Sequence, residues 1–213
     1  MSRDILKLAV GFKKFKERYF EEEKELYEKL HSEGQSPKTL VIGCSDSRVD
    51  PALLCSASPG DLFVVRNVAN LVPPHEESTK GYHGVSSAIE FAVVGLKVEN
   101  IIILGHSQCG GIRALVTSQG VLKDGFLQQW VNIAKNAKDK VQKAHPKASH
   151  DELCQHCEKE AILASIENLK SFPFVRTAIA ERQLALIPLY FDLEVGELLE
   201  YSEKEASFKP LPL

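Results

Sequence analysis

Apolar residues along the chain form short continuous runs. Three runs consist mostly of aliphatic and aromatic residues, and they cover 39–43 (TLVIG), 62–66 (LFVVR) and 101–105 (IIILG). Apolar runs of this length, without a polar residue at every second position, are typical of strands that are buried on both faces of a parallel sheet. The three runs therefore predict a parallel sheet.

Between and after these strands, apolar residues recur every three to four positions, which is the period of a helix with one buried face. The pattern predicts helices over 85–97, 122–144 and 151–169, and Asp151 is a candidate N-cap of the third helix. Pro173 is expected at the turn into a further short helix. Strands that alternate with helices in this way are typical of an α/β fold.

The last predicted strand covers 184–191 and contains Pro188. Because proline has no N–H group to donate to a neighbouring strand, we expect this strand at an edge of the sheet or in an irregular stretch. The whole pattern predicts an α/β protein with a mainly parallel central β-sheet flanked by helices.

The beginning of the chain carries an apolar stripe of its own. Four residues recur at helical spacing, namely Leu8, Phe12, Phe15 and Tyr19. The stripe predicts an amphipathic helix that packs on the body of the protein or on a partner subunit, and binding to a membrane surface is the less favoured interpretation. We therefore expect an N-terminal helical arm over 1–34 and one α/β domain over 35–213.

The balance of charges excludes several kinds of partner. The chain has 213 residues, and its 26 basic and 29 acidic residues leave a net charge of −3. Proteins that bind nucleic acid through its phosphates are typically basic, so no nucleic-acid partner is predicted. No apolar run approaches the roughly 20 residues that span a bilayer, and no signal-peptide pattern is present, so we expect a cytoplasmic protein without a membrane partner.

Residues that commonly bind metals follow two of the predicted strands. Cys44 comes directly after 39–43, and His106 and Cys109 follow 101–105. If these strands are neighbours, the three side chains converge at the carboxyl edge of the sheet, where ligands collect in open parallel sheets. Two thiolates and one imidazole are a strong tetrahedral set for Zn²⁺, and three protein ligands leave a fourth position for water or substrate.

An acidic and a basic residue follow Cys44 at steps of two. Zinc lowers the pKa of a bound water to about 7. Asp46 is placed to accept a hydrogen bond from the resulting hydroxide, and Arg48 is placed to keep that carboxylate ionised. An alternative stays open, in which Asp46 binds zinc directly and closes the site.

The other cysteines do not suggest a second metal site. The chain has 5 cysteines, and an odd number favours thiols and metal ligands over a disulfide framework. In a helix Cys154 and Cys157 share one face whereas His156 points away, so we interpret both thiols as packing residues. A thiol redox protein is disfavoured because no C-x-x-C pair opens a helix after a strand.

Several separate motifs together resemble the β-class carbonic anhydrases, in their plant-type branch. CSDSR follows one predicted strand and HSQCGG follows another. RNVANLVPP at 66–74, LCQHCEKEA at 153–161 and NLKSFPFVR at 168–176 extend the resemblance, which runs from about Gln35 to Phe191. It implies an enzyme that converts CO2 reversibly to bicarbonate and a proton, through attack of zinc hydroxide on CO2.

The resemblance also implies roles for individual residues. Cys44, His106 and Cys109 would hold one Zn²⁺ per subunit, with Asp46 and Arg48 as the catalytic dyad.

Three further residues would line the substrate pocket, namely Gln35, Phe63 and Phe91, and the last replaces a tyrosine that is usual in the plant-type pattern. The implied unit is a homodimer, or a larger homo-oligomer built from dimers, whose pockets take residues from both chains.

A second branch of the family has an inhibitory bicarbonate site made of a tryptophan, an arginine and a tyrosine. This sequence keeps the arginine as Arg66, but Val41 and Phe191 stand at the other two positions. We therefore predict no regulation by bicarbonate at that site and expect Arg66 to form a structural salt bridge or to lie in an interface.

Two other functions are compatible with these residues. A hydrolase of CS2 or COS with the same architecture would use the same zinc site on a linear sulfur analogue of CO2. A zinc-binding protein without enzymatic activity could keep the fold for assembly, but it would not need Gln35, Asp46 and Arg48.

Overall fold

The computed structural model describes residues 2–77, 81–118, 120, 122 and 124–211. Contacts within the chain define two compact units, Met1–Ser36 and Pro37–Leu213.

The N-terminal unit is helical, as the apolar stripe predicts. Helix α1 covers Arg3–Lys16, a π-helical stretch follows over Glu17–Glu22, and helix α2 covers Lys24–Glu33. The rings of Phe15 and Tyr27 meet edge to face, with their centroids 5.6 Å apart. The packing of the stripe on a partner subunit stays a prediction.

The second unit is built on a six-stranded sheet in the order β2-β1-β3-β4-β5-β6. Its strands are β1 Thr39–Cys44, β2 Leu62–Asn67, β3 Asn100–His106, β4 Ala185–Asp192, β5 Glu197–Ser202 and β6 Ser207–Pro210. The first four are parallel to one another, and β5 and β6 are added antiparallel. The predicted mainly parallel sheet and its first three strands are confirmed.

The expectation that the strand containing Pro188 lies at a sheet edge is wrong. Strand β4 pairs with β3 on one side and with β5 on the other. Pro188 is tolerated because the pairing with β5 begins only at Leu189, so the proline lies outside the part of β4 that is bonded on both sides. Strands β5 and β6, which follow β4, were not predicted.

Helices occupy the predicted segments with some interruptions. The segment 85–97 contains α4 Gly84–Glu90 and a π-helical stretch over Phe91–Gly95. The segment 122–144 contains α6 Phe126–Val131 and α7 Lys135–Ala144, which are joined by one 3-10 turn, and its residue 123 lies outside the described residues. Two short helices that were not predicted are α3 Pro51–Leu54 and α5 Gly110–Thr117.

Helix α8 runs over His150–Ser171 and is followed by α9, Pro173–Arg182. The predicted cap at Asp151 is wrong. Ser149 is the N-cap, because its hydroxyl accepts the N–H of Glu152 while the Glu152 carboxylate accepts the N–H of Ser149. Pro173 stands in the first turn of α9, as predicted.

Helix α8 lies close against the sheet near the ends of the parallel strands. A Cβ atom placed on Gly105 in β3 would stand 2.5 Å from Cδ1 of Ile162, so only a glycine permits this approach. Ile162 is fully buried. The close packing brings the acidic and thiol side chains of α8 beneath the loop that follows β3.

None of the helices in the described part of the chain combines the length and apolar character needed to cross a membrane.

Candidate metal centre

The sheet places the three predicted metal ligands together. Strands β1 and β3 are neighbours, with Gly43 opposite Leu104. Cys44 is the last residue of β1, His106 is the last residue of β3, and Cys109 is the N-cap of α5. The carboxyl ends of two adjacent parallel strands therefore meet at one point, which is the condition on which the prediction depended.

The three side chains form a compact and buried cluster. Their donor atoms all lie within 4.8 Å of one another, and the two sulfurs are 3.9 Å apart. Cys44 is 5% exposed, and His106 and Cys109 are each 1% exposed. Within the described ranges, this is the group of cysteine, histidine or acidic side chains that is spaced to hold a metal ion.

The chemistry of these donors fits a zinc ion. His106 Nδ1 lies 2.8 Å from the carbonyl oxygen of Ser107, to which it donates in the tautomer that leaves Nε2 with a free lone pair. Nε2 is buried and has no hydrogen-bond partner among the described residues. An unpaired buried polar atom costs about 1–3 kcal/mol, and a bound metal would remove this cost.

The two thiols are linked by a hydrogen bond. The bond from Cys109 lowers the pKa of Cys44, against the opposing effect of burial. The same interaction, together with burial, raises the pKa of Cys109. The backbone N–H of Ala69 also favours the Cys44 thiolate, and Ala69 reaches it from a left-handed conformation with φ 66°. Cys44 is thus the cysteine ligand that more readily becomes a thiolate.

Asp46 and Arg48 form a bidentate pair beside the cluster. Arg48 donates from Nε to Oδ1 at 2.9 Å and from Nη2 to Oδ2 at 2.7 Å. The arginine also donates to the carbonyl oxygen of Gln108, at 3.3 Å. These hydrogen bonds hold the pKa of Asp46 well below its usual range. The carboxylate is engaged by the guanidinium and stays ionised.

Arg66 ties the loop after β1 to the sheet. Its guanidinium donates to the carbonyl oxygens of Cys44 at 2.9 Å and Asp46 at 2.6 Å, and it pairs with the Asp50 carboxylate at 2.8 Å. The expectation of a structural salt bridge is confirmed. Asp50 was missed, although an aspartate before Pro51 is a signal for an N-cap, a position that it occupies at the start of α3.

The predicted pocket residues lie elsewhere in the chain. The rings of Phe63 and Phe91 are neighbours, with centroids 5.7 Å apart. Phe63 is opposite Leu40, four residues before Cys44, which is roughly 13 Å along the strand at about 3.3 Å per residue. One chain therefore does not bring the two phenylalanines to its own cluster. Gln35 belongs to the N-terminal unit and is exposed, and its role stays a prediction.

The cysteines of α8 are packing residues, as predicted. Cys154 and Cys157 are 3% and 0% exposed, and they lie in the apolar cluster beneath the site. Burial raises the pKa of Cys157 to about 12. His156 points away and stacks on His145, with ring centroids 4.0 Å apart.

One buried carboxylate next to the cluster was missed from the sequence. Glu158 is 4% exposed and accepts the backbone N–H of Cys109 at 2.9 Å. A signal was available, because Glu158 stands four residues after Cys154 and three before Ala161, on the apolar face of α8.

Comparisons with known proteins agree with this site. The family model described as carbonic anhydrase matches residues 39–198. Beta carbonic anhydrase 3 of Arabidopsis thaliana is 35% identical over 211 residues, which are 98% of this chain and 80% of that protein.

Solved structures are also similar. The β-carbonic anhydrase CcaA is 32% identical, with a TM-score of 0.90 over 100% of this chain and 94% of that one. A structure described among two tetrameric β-carbonic anhydrases of Sordaria macrospora is 33% identical, with a TM-score of 0.73 over 92% of this chain and 93% of that one. The chain therefore belongs to the carbonic anhydrase family, in its β class.

Proposed function

We propose that the protein is a zinc-dependent carbonic anhydrase, which converts CO2 and water reversibly to bicarbonate and a proton. Cys44, His106 and Cys109 would hold one Zn²⁺ per chain. The observation that carries the proposal is the buried, unpartnered Nε2 atom of His106 within 4.8 Å of two cysteine sulfurs, in a chain of this family.

When bound, zinc supplies a Lewis acid that lowers the pKa of a water molecule and makes it reactive near neutral pH. The chain prepares the donors for this task. Ser107 fixes the tautomer of His106, and a metal would bind Cys44 and Cys109 as thiolates, with loss of the thiol protons.

Asp46 and Arg48 are the proposed catalytic dyad. Because Arg48 keeps the pKa of Asp46 low, the carboxylate stays a hydrogen-bond acceptor for the reacting water but is too weak a base to take its proton. Asp46 therefore orients the water, and the proton leaves to buffer. Arg66 positions the same loop through its bonds to the backbone oxygens of Cys44 and Asp46.

The pocket for CO2 would be completed by a second copy of the chain. Phe63 and Phe91 offer an apolar pair suited to a small, uncharged molecule, but Phe63 lies roughly 13 Å along the sheet from the cluster of its own chain, and Phe91 is its neighbour. We therefore propose that Phe63, Phe91 and Gln35 serve a neighbouring subunit in a homodimer or larger homo-oligomer. The absence of bicarbonate regulation and the cytoplasmic location stay predictions.

Zinc analysis combined with stopped-flow CO2 hydration tests the proposal. We expect about one zinc per chain, loss of hydration on chelation and recovery on addition of Zn²⁺. Hydrolysis of COS and CS2 is measured on the same sample. Zinc-loaded protein that leaves CO2 unreacted would overturn the proposal, and turnover of the sulfur compounds alone would favour the hydrolase alternative.

A further inference from the structure

Glu158 is a buried acidic residue that the reaction does not use. Placing a carboxylate in the interior is costly unless both of its oxygens are hydrogen-bonded. Oε1 of Glu158 accepts the backbone N–H of Cys109, and Oε2 accepts the hydroxyl of Tyr190, each at 2.9 Å. The carboxylate is thus fully occupied by two specific donors, and neither belongs to its own helix.

The first donor is part of the proposed zinc site. Cys109 begins α5, so its N–H group has no acceptor within that helix. The preceding residue, Gln108, has a left-handed backbone with φ 58°, a conformation that costs a non-glycine residue about 1–3 kcal/mol. The bond to Glu158 restrains the turn just where the Cys109 side chain leaves it.

The second donor fixes the carboxylate from the sheet. Tyr190 lies in β4 and is fully buried, and the ammonium of Lys159 stands 4.8 Å from its ring centroid. The ring is therefore held by burial and by a cation–π contact with Lys159. The bonds run from β4 through α8 to the loop that carries Cys109.

We propose that Glu158 is a positioning residue for the metal centre, which acts through the backbone of Cys109 and is itself held by Tyr190. The proposal rests on the zinc site proposed above. Glu158 touches neither metal nor substrate in this role. It sets the direction of the Cys109 thiolate relative to Cys44 and His106, and so it sets the affinity and geometry of the bound ion.

Zinc affinity of the Glu158→Met variant is the first test. Methionine has nearly the same size but no oxygen acceptor, so the bonds to the N–H of Cys109 and to the hydroxyl of Tyr190 are both lost. We expect the zinc Kd to rise about 10–100-fold, as for other residues that orient metal ligands, in competition with a chromophoric chelator. Tyr190→Phe should raise the Kd by a smaller factor. The double variant should not exceed the sum of the single effects, because both changes break the same chain of bonds.

The absorption spectrum of the Co²⁺-substituted protein reports the geometry of the metal ligands. It would not change if Glu158 only stabilised the fold. The thiolate-to-cobalt absorption should shift in Glu158→Met and remain as in the unchanged protein in Glu167→Met. Glu167 is the matched control, since it lies on the same helix with its side chain 69% exposed and paired to Lys170.

Several outcomes would overturn the proposal. An unchanged zinc Kd and cobalt spectrum in Glu158→Met, with only a lower melting temperature, would show that Glu158 only stabilises the fold. If that variant does not fold, an unchanged Kd in Tyr190→Phe decides against the proposal. Failure of the unchanged protein to bind zinc would instead overturn the proposed function, so the two failures are distinguishable.

Discussion

At the scale of single residues, Asp46 has the most direct test. Replacing it with asparagine keeps the size of the side chain but removes the charge that Arg48 stabilises. The zinc ligands remain, so we expect about one zinc per chain and a loss of kcat on the order of 10²-fold, because the charged acceptor for the reacting water is replaced by a neutral amide. Stopped-flow hydration with parallel metal analysis measures both values.

The control for this change is Asp151→Asn, at a side chain that is 80% exposed. It should retain full activity. A kcat in Asp46→Asn equal to that of the unchanged protein would remove Asp46 from the dyad.

The cysteines should differ in their reaction with iodoacetamide at pH 8. Cys157 is fully buried, and its pKa of about 12 keeps it a thiol at this pH, so it should react only after unfolding. Cys55 is exposed and should react in the folded protein. Removal of zinc should add Cys44 as the next site, because this residue keeps 5% exposure and the hydrogen bond from Cys109 lowers its pKa. Mass spectrometry of timed samples gives the order, and labelling of Cys157 before Cys44 would contradict it.

The metal ligands were predictable because Cys44 and His106 end recognisable strands and Cys109 lies in the loop after the second one. The role of Glu158 was not, because it depends on the approach of α8 to the loop after β3, and that approach is made by Ile162 over Gly105. Ala69 is a similar case, since nothing in a VAN tripeptide indicates a left-handed alanine whose N–H favours a thiolate.

At the scale of elements, the start of α8 gives a clear prediction. Ser149→Ala removes the hydroxyl that caps the helix, and we expect a loss of about 1 kcal/mol in the free energy of unfolding. Asp151→Ala removes a surface ion pair with Arg113 and one acidic group from the first turn of α8, and it should cost less than Ser149→Ala. Urea unfolding at a fixed zinc concentration compares them. A larger loss of unfolding free energy in Asp151→Ala than in Ser149→Ala would show that Asp151 is the N-cap, as the sequence suggested.

Elements with strongly buried apolar runs were predicted more accurately than elements that are only half-buried. Strands β1 and β3 are nearly continuous apolar runs and were found with almost correct ends. Strand β5, with the sequence ELLEYS, is half-buried and mixes charged with apolar residues, so its run is too weak to recognise. Serine and aspartate are both good caps, and only the reciprocal bonds of Glu152 distinguish them.

At the scale of the whole molecule, the position of the two phenylalanines predicts complementation between chains. Cys44→Ala should lack zinc, and Phe91→Ala should keep zinc but hydrate CO2 poorly. In mixed dimers one site combines the intact cluster of one chain with Phe91 of the other. Exchange between the variants should therefore restore on the order of a quarter of all sites.

Stopped-flow assays before and after subunit exchange measure this recovery, and light scattering reports the oligomeric state. Phe91 is suited to the exchange because its side chain is half-exposed within one chain, so its removal leaves the core intact. A mixture with only the mean of the two separate activities would show that each chain builds its own pocket.

Cys44 and Cys109 stand 65 positions apart in the sequence and meet only when β1 and β3 are paired. These donors are seldom together in the unfolded chain, so zinc binds the folded chain preferentially. The bound ion thereby links the two ends of a long loop. Every tenfold excess of free zinc over its Kd then adds about 1.4 kcal/mol to the free energy of unfolding. In a cell, the lifetime of this protein would accordingly follow the supply of its metal.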